Sequence, residues 1–332
     1  MEKKWYVGID ISKETLDVAV FDIGNSRSNE NYLKVGNDVS GFKVMHQWFK
    51  GRGINFADIV LCMEYTGIYG YNIRKVLERT AIDYCMETPV RIKKSLGLAR
   101  GKSDRIDAFR IAWYCYVHRE FLRLSRLPGE TVQQLQRLLA ERGRYVKHSA
   151  CYKQVLSEHS ILDGKAASAR TKSLRDKSKK AILAVEKQMY SLIASDESVR
   201  KNFDLLTSIV GIGIVNAVTT IVHTENFASF DNARQYVCYV SVAPFERSSG
   251  FNVRGRTAIS KMGDRQAKAD LTEGAKAAIA HDRELKLYYV NIWSSTSCVV
   301  DTAVLVLPSK RYVKTNKHTQ VKRNGRLSSY RI

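Results

Sequence analysis

The stretch from Lys4 to Ile23, KWYVGIDISKETLDVAVFDI, narrows most sharply what this chain can fold into. Two runs rich in β-branched and apolar residues, Trp5 to Ile11 and Thr15 to Phe21, are separated only by a short polar turn, the pattern of a β-hairpin. Beyond the hairpin, strand and helix patterns alternate. A third run lies near Asn31 to Val35, then a helical pattern from about Val39 to Phe49, a buried-type strand Asp58 to Met63, a helix Tyr71 to Glu78 and a short strand Ile82 to Met86. Pro89 reads as a breaker, and the basic segment after it leads into a helix from about Asp104 to Val117. A hairpin followed by strands alternating with helices predicts an α/β fold on a mixed sheet.

The pattern changes after Leu127-Pro128-Gly129. From Glu130 to about Met189, Val132, Leu135, Leu138 and Leu139, and later Ile182, Leu183, Val185 and Met189, recur at helical spacing, which predicts a long helical connector broken near Asp163-Gly164. Between Glu141 and Tyr190 there are 12 Lys or Arg against 5 Asp or Glu. A merely solvated helix pair has no need of so one-sided a charge. Phe203 to His281 reads as a second compact unit. Lys310 to Ile332 carries 8 Lys or Arg and no acid, the composition of a disordered tail drawn to phosphate. There is no internal repeat.

Charge sets the partner class. Over 332 residues, 54 Lys and Arg face 33 Asp and Glu, a net of +21. Such an excess favours a polyanion, with nucleic acid first, because each neutralised phosphate releases condensed counterions. The opening MEKKWYVGID lacks the apolar core of a signal peptide, and the run Val299 to Leu307 is short and broken by Asp301. The expectation is a cytoplasmic protein with no membrane partner. Six cysteines without a C-x-x-C pair and seven histidines without ligand spacing argue against a zinc site or a disulfide framework.

Four acids stand out in this basic chain. Asp10 sits at the end of the first strand, Glu64 lies just beyond the strand DIVLCM, and Asp104 and Asp107 lie three apart in KSDRIDA, so they share a helix face. Carboxylates at strand ends, met by a helix-borne pair, are what Mg²⁺ needs beside a phosphodiester. Each also has a plainer reading. Ser103 can cap the helix with Asp104 complementing its dipole, and Asp10 alone suits a strand-end turn. Two further segments offer phosphate contacts. Ile209-Val210-Gly211-Ile212-Gly213 resembles a helix-hairpin-helix turn, in which the glycines leave backbone N–H groups open to phosphate; a simple helix-connecting turn fits nearly as well. Ser248-Ser249-Gly250, followed by Arg254, Arg256 and Lys261, reads as a polar loop among cations that could stabilise charge developing on a phosphodiester.

Taken together, these residues resemble the insertion-sequence one-ten family of transposases, DEDD-type recombinases guided by a bridge RNA. V-G-I-D, M-E-Y-T-G and G-K-S-D-R-I-D-A are similar to motifs of its RuvC-like, ribonuclease H-like domain, and I-V-G-I-G, F-D-N-A-R-Q-Y, A-P-F-E-R-S-S-G and I-S-K-M-G to motifs of its transposase domain. The resemblance spans roughly Val7 to Ile279. It implies a RuvC-like domain at 1–125, a coiled-coil connector at 126–202, a mainly α transposase domain at 203–288 and an atypical tail at 289–332. It further implies that Asp10, Glu64, Asp104 and Asp107 bind Mg²⁺, that Ser249 is the nucleophile, and that Gly211, Gly213, Arg254, Arg256 and Lys261 contact nucleic acid. Donor and target DNA, a guide RNA and a homo-oligomer, a dimer of dimers, are the implied partners. The chain departs from the family at Val210, usually Pro, and at Lys268, usually Arg. After about Tyr289 the family's C-terminal helices are not recognisable and the residues read as out of register. Two alternatives therefore stand beside an active recombinase: a junction-resolving endonuclease using the four acids alone, and an inactive frameshifted copy that only binds nucleic acid. An ATP-dependent kinase also opens on a G-I-D hairpin, yet the second glycine-rich phosphate loop it needs is missing.

Overall fold

A computed structural model describes residues 3–21, 29–95, 97, 101, 103–161, 164–249, 253–260 and 263–293. The chain divides after Leu127 into two compact units.

The first unit contains β1 (Trp5–Ile11), β2 (Thr15–Phe21), β3 (Tyr32–Gly36), α1 (Val39–Gly51), β4 (Ile59–Glu64), α2 (Tyr71–Arg79), β5 (Asp83–Glu87), α3 (Pro89–Ser95) and α4 (Asp104–Val117). The strands form one sheet in the order β3-β2-β1-β4-β5, so β1 is central. β1 pairs antiparallel with β2 and parallel with β4, which makes the sheet mixed. Strand side chains alternate between faces. Val7, Ile9 and Ile11 of β1, Leu16, Val18 and Val20 of β2, and Ile59, Leu61 and Met63 of β4 point into one core. Phe42, Met45 and Phe49 of α1 and Ile73 and Leu77 of α2 complete that core, each set at helical spacing. Asp38 starts α1 by accepting a hydrogen bond from the Gly41 N–H at 2.8 Å. Pro89 proves to begin α3 rather than to break the chain. At a first helical position its missing N–H would have been unpaired in any case.

The other face of the sheet is built for a close helix. Registered neighbours Ala19, Gly8, Cys62 and Cys85 form a row of small residues across four strands, and Ala108, Ala112 and Cys115 of α4 pack against it. Gly8 matters most here. A Cβ built on it would stand 2.2 Å from the Ala112 nitrogen and 2.3 Å from the Ala108 oxygen, so only glycine lets the backbone of α4 rest on β1. Cys62, Cys85 and Cys115 meet in this core as free thiols, a convergence that their sequence spacing does not show.

The second unit contains α5 (Glu130–Ile161), α6 (Lys165–Ser195), α7 (Glu197–Thr207), α8 (Ile214–His223), α9 (Ala233–Tyr239), β6 (Pro244–Ser249), β7 (Val253–Ile259), α10 (Arg265–His281) and α11 (Arg283–Trp293). It is mainly helical. Val132, Leu135 and Leu138 of α5 and Val185, Met189 and Ile193 of α6 share a core with Val199 and Phe203 of α7 and Ala217, Val218, Ile221 and Val222 of α8. From 139 to 184, by contrast, no described residue is buried. That stretch of α5 and α6 is a two-helix hairpin, too thin to enclose a core, and its basic residues are solvated as a consequence. α9 and α10 build a second core from Tyr236, Val237, Leu271, Ala275 and Ala278. The segment read as a serine loop is instead largely a hairpin: β6 and β7 pair antiparallel, with Ser249 opposite Val253. No helix among the described residues is long and apolar enough to cross a membrane. The tail from 294 onward lies outside the described residues.

Gly8→Ala should therefore lower the melting temperature by an amount corresponding to about 1–3 kcal/mol, the usual cost of overpacking. Gly143→Ala, inside α5, serves as its control, since a Cβ there meets nothing within 4 Å. Calorimetry of both variants checks this; an unchanged transition in Gly8→Ala would show that α4 does not rest on β1.

Candidate metal and nucleic-acid site

Close seating of α4 on β1 determines which acids meet. Beyond the row of small residues, towards the carboxyl end of β1, the same face carries acids. Asp17 is registered with Asp10, Glu64 with Glu87, and the Ile9–Met63 pair places Asp10 and Glu64 at corresponding positions on β1 and β4. The first turn of α4 adds Asp104 and Asp107. Ser103 caps this helix, its hydroxyl accepting from the Ile106 N–H at 3.3 Å, so Asp104 also sits where the helix dipole favours an anion. Both readings of Asp104 hold at once.

Electrostatics report the convergence. The Asp10 carboxyl is pushed up from 3.8 to about 6, first by burial and then by the negative charges of Asp107, Asp104, Glu64 and Asp17. All four acids picked out by sequence thus belong to one neighbourhood. Two others were missed, Asp17 and Glu87. Asp17 is buried, accepts from the Tyr32 hydroxyl, and holds the Lys34 ammonium at 3.3 Å. Glu87 is also buried and receives Arg91 at 3.1 Å. The available signal was period-two alternation, which puts Asp17 on the Asp10 face of the hairpin.

Cations already attend the helix-borne pair. Arg110 donates to Asp107 at 2.9 Å, and Lys34 reaches Asp104 at 3.9 Å while holding Asp17. Among the described residues no three His, Cys, Asp or Glu side chains stand close enough to hold a metal ion as placed. Neighbouring carboxylates repel, and Asp104, Asp107, Asp17 and Glu87 each turn to a cation. The donor set nonetheless suits a hard divalent ion, being all carboxylate oxygen with one member, Asp10, whose negative form is disfavoured by burial and by its neighbours.

The candidates of the second unit are distributed differently. Gly211 has φ +89° and packs on α10; a Cβ there would stand 2.2 Å from the Gly274 oxygen. Its glycine is thus explained by close packing alone. Gly213 is the N-cap of α8 without a side-chain cap, in open space. Ser249 ends β6, and Arg254 and Arg256 occupy alternate positions of β7, with Arg254 registered to Ser248. The side chains of Ser249, Arg254 and Arg256, and all of Lys261, lie outside the described residues.

A raised carboxylate has a definite pH signature. Between about 4 and 6 the folded chain holds the Asp10 proton more tightly than the unfolded chain does, so this contribution to stability is present below that window and is lost as pH rises through it. In metal-free buffer at pH 7, Asp10→Asn should melt higher than the parent and lack this part of the pH slope. Added Mg²⁺ should raise the melting temperature of the parent and not of Asp10→Asn. A variant that melts lower, with an unchanged response to Mg²⁺, would contradict the convergence.

Comparison with known families finds two matches, the first of which runs past Leu127 into α5. Residues 7–164 match the DEDD model of the IS110 group, described as a transposase, and residues 203–290 match the model described as Transposase IS116/IS110/IS902 family. No curated protein matches the chain. Asp10, Glu64, Asp104 and Asp107 fall within the first match, and Gly211, Gly213 and Ser249 within the second. With both models matched in order over most of its length, the chain belongs to the IS110 family of transposases.

Proposed function

We propose that this transposase is the recombinase of an insertion sequence, cutting and rejoining DNA through a serine nucleophile with Mg²⁺-binding acids and guided by a structured RNA. The observation that carries the reading is the convergence on Asp10, whose carboxyl is raised by Asp107, Asp104 and Glu64 as well as by burial. Nothing in a purely structural sheet edge calls for so many acids on one face of a chain with net charge +21. We assign 1–125 to a RuvC-like domain, 126–202 to a coiled-coil connector, 203–288 to a transposase domain and 289–332 to a basic tail.

In this reading Asp10, Glu64, Asp104 and Asp107 hold Mg²⁺. The bound ion supplies Lewis-acid polarisation of the phosphodiester and lowers the pKa of an attacking hydroxyl. Arg110 and Lys34 orient the helix acids. Ser249 at the end of β6 attacks phosphorus: its Oγ–P bond forms as a phosphorus–oxygen bond to deoxyribose breaks, and the proton lost from the serine hydroxyl balances the one gained by the departing deoxyribose oxygen. The phosphoserine link keeps the bond energy, so a hydroxyl of another strand can reverse the step and rejoin DNA. Arg254, Arg256 and Lys261 neutralise the phosphate during transfer. Gly213 leaves the α8 N-terminus open to a phosphate, and Gly211 sets the turn. Donor and target DNA, guide RNA and a homo-oligomer, a dimer of dimers, are the partners this reading requires.

Ser249→Ala tests it. With a guide RNA and matched DNA, the variant should bind both nucleic acids yet give no covalent protein–DNA adduct and no recombinant. Strand exchange near the parental rate would leave the acids alone to carry the chemistry, as in a junction-resolving endonuclease.

A further inference from the structure

Three large apolar side chains follow Glu64 at once and stay in solvent within the first unit: Tyr65, Ile68 and Tyr69 are 52%, 82% and 42% exposed. Their loop is firmly held. The Tyr65 N–H donates to the Glu87 carbonyl at 2.9 Å, and the Asn37 amide donates to both the Tyr69 and Ser12 carbonyls at 3.0 Å. A methyl at Gly70 would touch Ile11 at 3.4 Å, so the loop crosses the carboxyl end of β1. That end of the sheet also carries Asp10, Glu64 and Glu87. A fixed apolar patch of this kind marks an interaction site.

Its flanks indicate the occupant. Lys13 is exposed in the turn whose Ser12 carbonyl shares the Asn37 amide with Tyr69. Lys75 is exposed, with its ammonium 5.0 Å over the Tyr71 ring. Rings bordered by cations, beside acids that receive a phosphodiester, match a strand whose bases stack while its phosphates meet lysine. A duplex already stacks its bases on one another, so only an unpaired strand offers free base faces. We infer that Tyr65, Ile68 and Tyr69 form a stacking platform for unpaired DNA bases next to the phosphodiester presented to the acids. The inference rests on the acids being the phosphodiester site.

The test uses the full chain with a single-stranded oligodeoxynucleotide and a blunt duplex. Tyr65→Ala combined with Tyr69→Ala should weaken single-strand binding about tenfold, within the range of base–aromatic stacking. Duplex binding should stay unchanged, and the paired Tyr→Phe variant should retain single-strand affinity. Photo-crosslinking with 5-iododeoxyuridine should map to Tyr65 or Tyr69. Unchanged or equal losses on both DNAs, crosslinks confined to other segments, a loss seen only with single-stranded RNA, or a change of oligomeric state with DNA affinity intact would each overturn it. Glu64→Gln, assayed in parallel, separates the two claims. It should keep single-strand binding and lose Mg²⁺-dependent cleavage; retained cleavage removes the acid reading, while crosslinks still judge the platform.

Discussion

The missing side chain of Gly8 is the constraint on which the rest depends. Because the α4 backbone rests directly on the central strand, Asp107 and Asp104 are carried to the level of Asp10 instead of standing one side-chain layer away. The row registered with Gly8 obeys the same limit: Ala19, Cys62 and Cys85 on the sheet and Ala108, Ala112 and Cys115 on the helix are all small, while Tyr6 of the sheet and Phe109 and Tyr114 of the helix pack to either side. A larger residue anywhere in this row would lift the helix and separate the acids. Core packing and site geometry are one problem here, solved by the same residues. On the opposite face no such limit applies, and Phe42, Phe49, Leu61 and Tyr84 fill a conventional core.

Gathering acids has an electrostatic cost, and the first unit meets it locally. Lys34 lies opposite Asp17 on the edge strand and spans to Asp104, while Arg110 closes on Asp107 one turn along the helix. Asp10, in the middle, is the member whose charge remains unfavourable, and its raised carboxyl records its burial first and then the residual repulsion. Cations that steady acids in the free protein and a divalent ion that draws them together are compatible where the cation can move aside, as Lys34 can on its exposed edge strand. The second unit meets the opposite condition. Its thin helical hairpin carries 12 cations against 5 acids between Glu141 and Tyr190, a charge that suits it to lie along a polyanion.

Much of the fold is legible in sequence because its signals are local. The strands of the opening hairpin and the span of α4 follow directly from alternation and from the Ser103 cap. Misreadings came where the signal depends on tertiary context. Pro89 suits a helix start as well as a break, and only the chain around it decides. Ser248 and Ser249 have ordinary loop composition, yet pairing with β7 makes them strand. Of the site, Asp10, Glu64, Asp104 and Asp107 could be picked out by strand ends and helical spacing. Asp17 is harder to read, because it is mid-strand: alternation puts it on the Asp10 face only once the register of the hairpin is known. Gly211 shows the reverse: a glycine that reads as phosphate-binding has its conformation and contacts accounted for by α10.

Anomalous diffraction from crystals grown with Mn²⁺ in place of Mg²⁺ tests the central claim most directly. The account predicts a peak among the carboxylates of Asp10, Glu64 and Asp107, with Asp107 released from Arg110 and α4 still resting on Gly8. The absence of a peak at those carboxylates, with Asp107 still paired to Arg110 at saturating Mn²⁺, would contradict it.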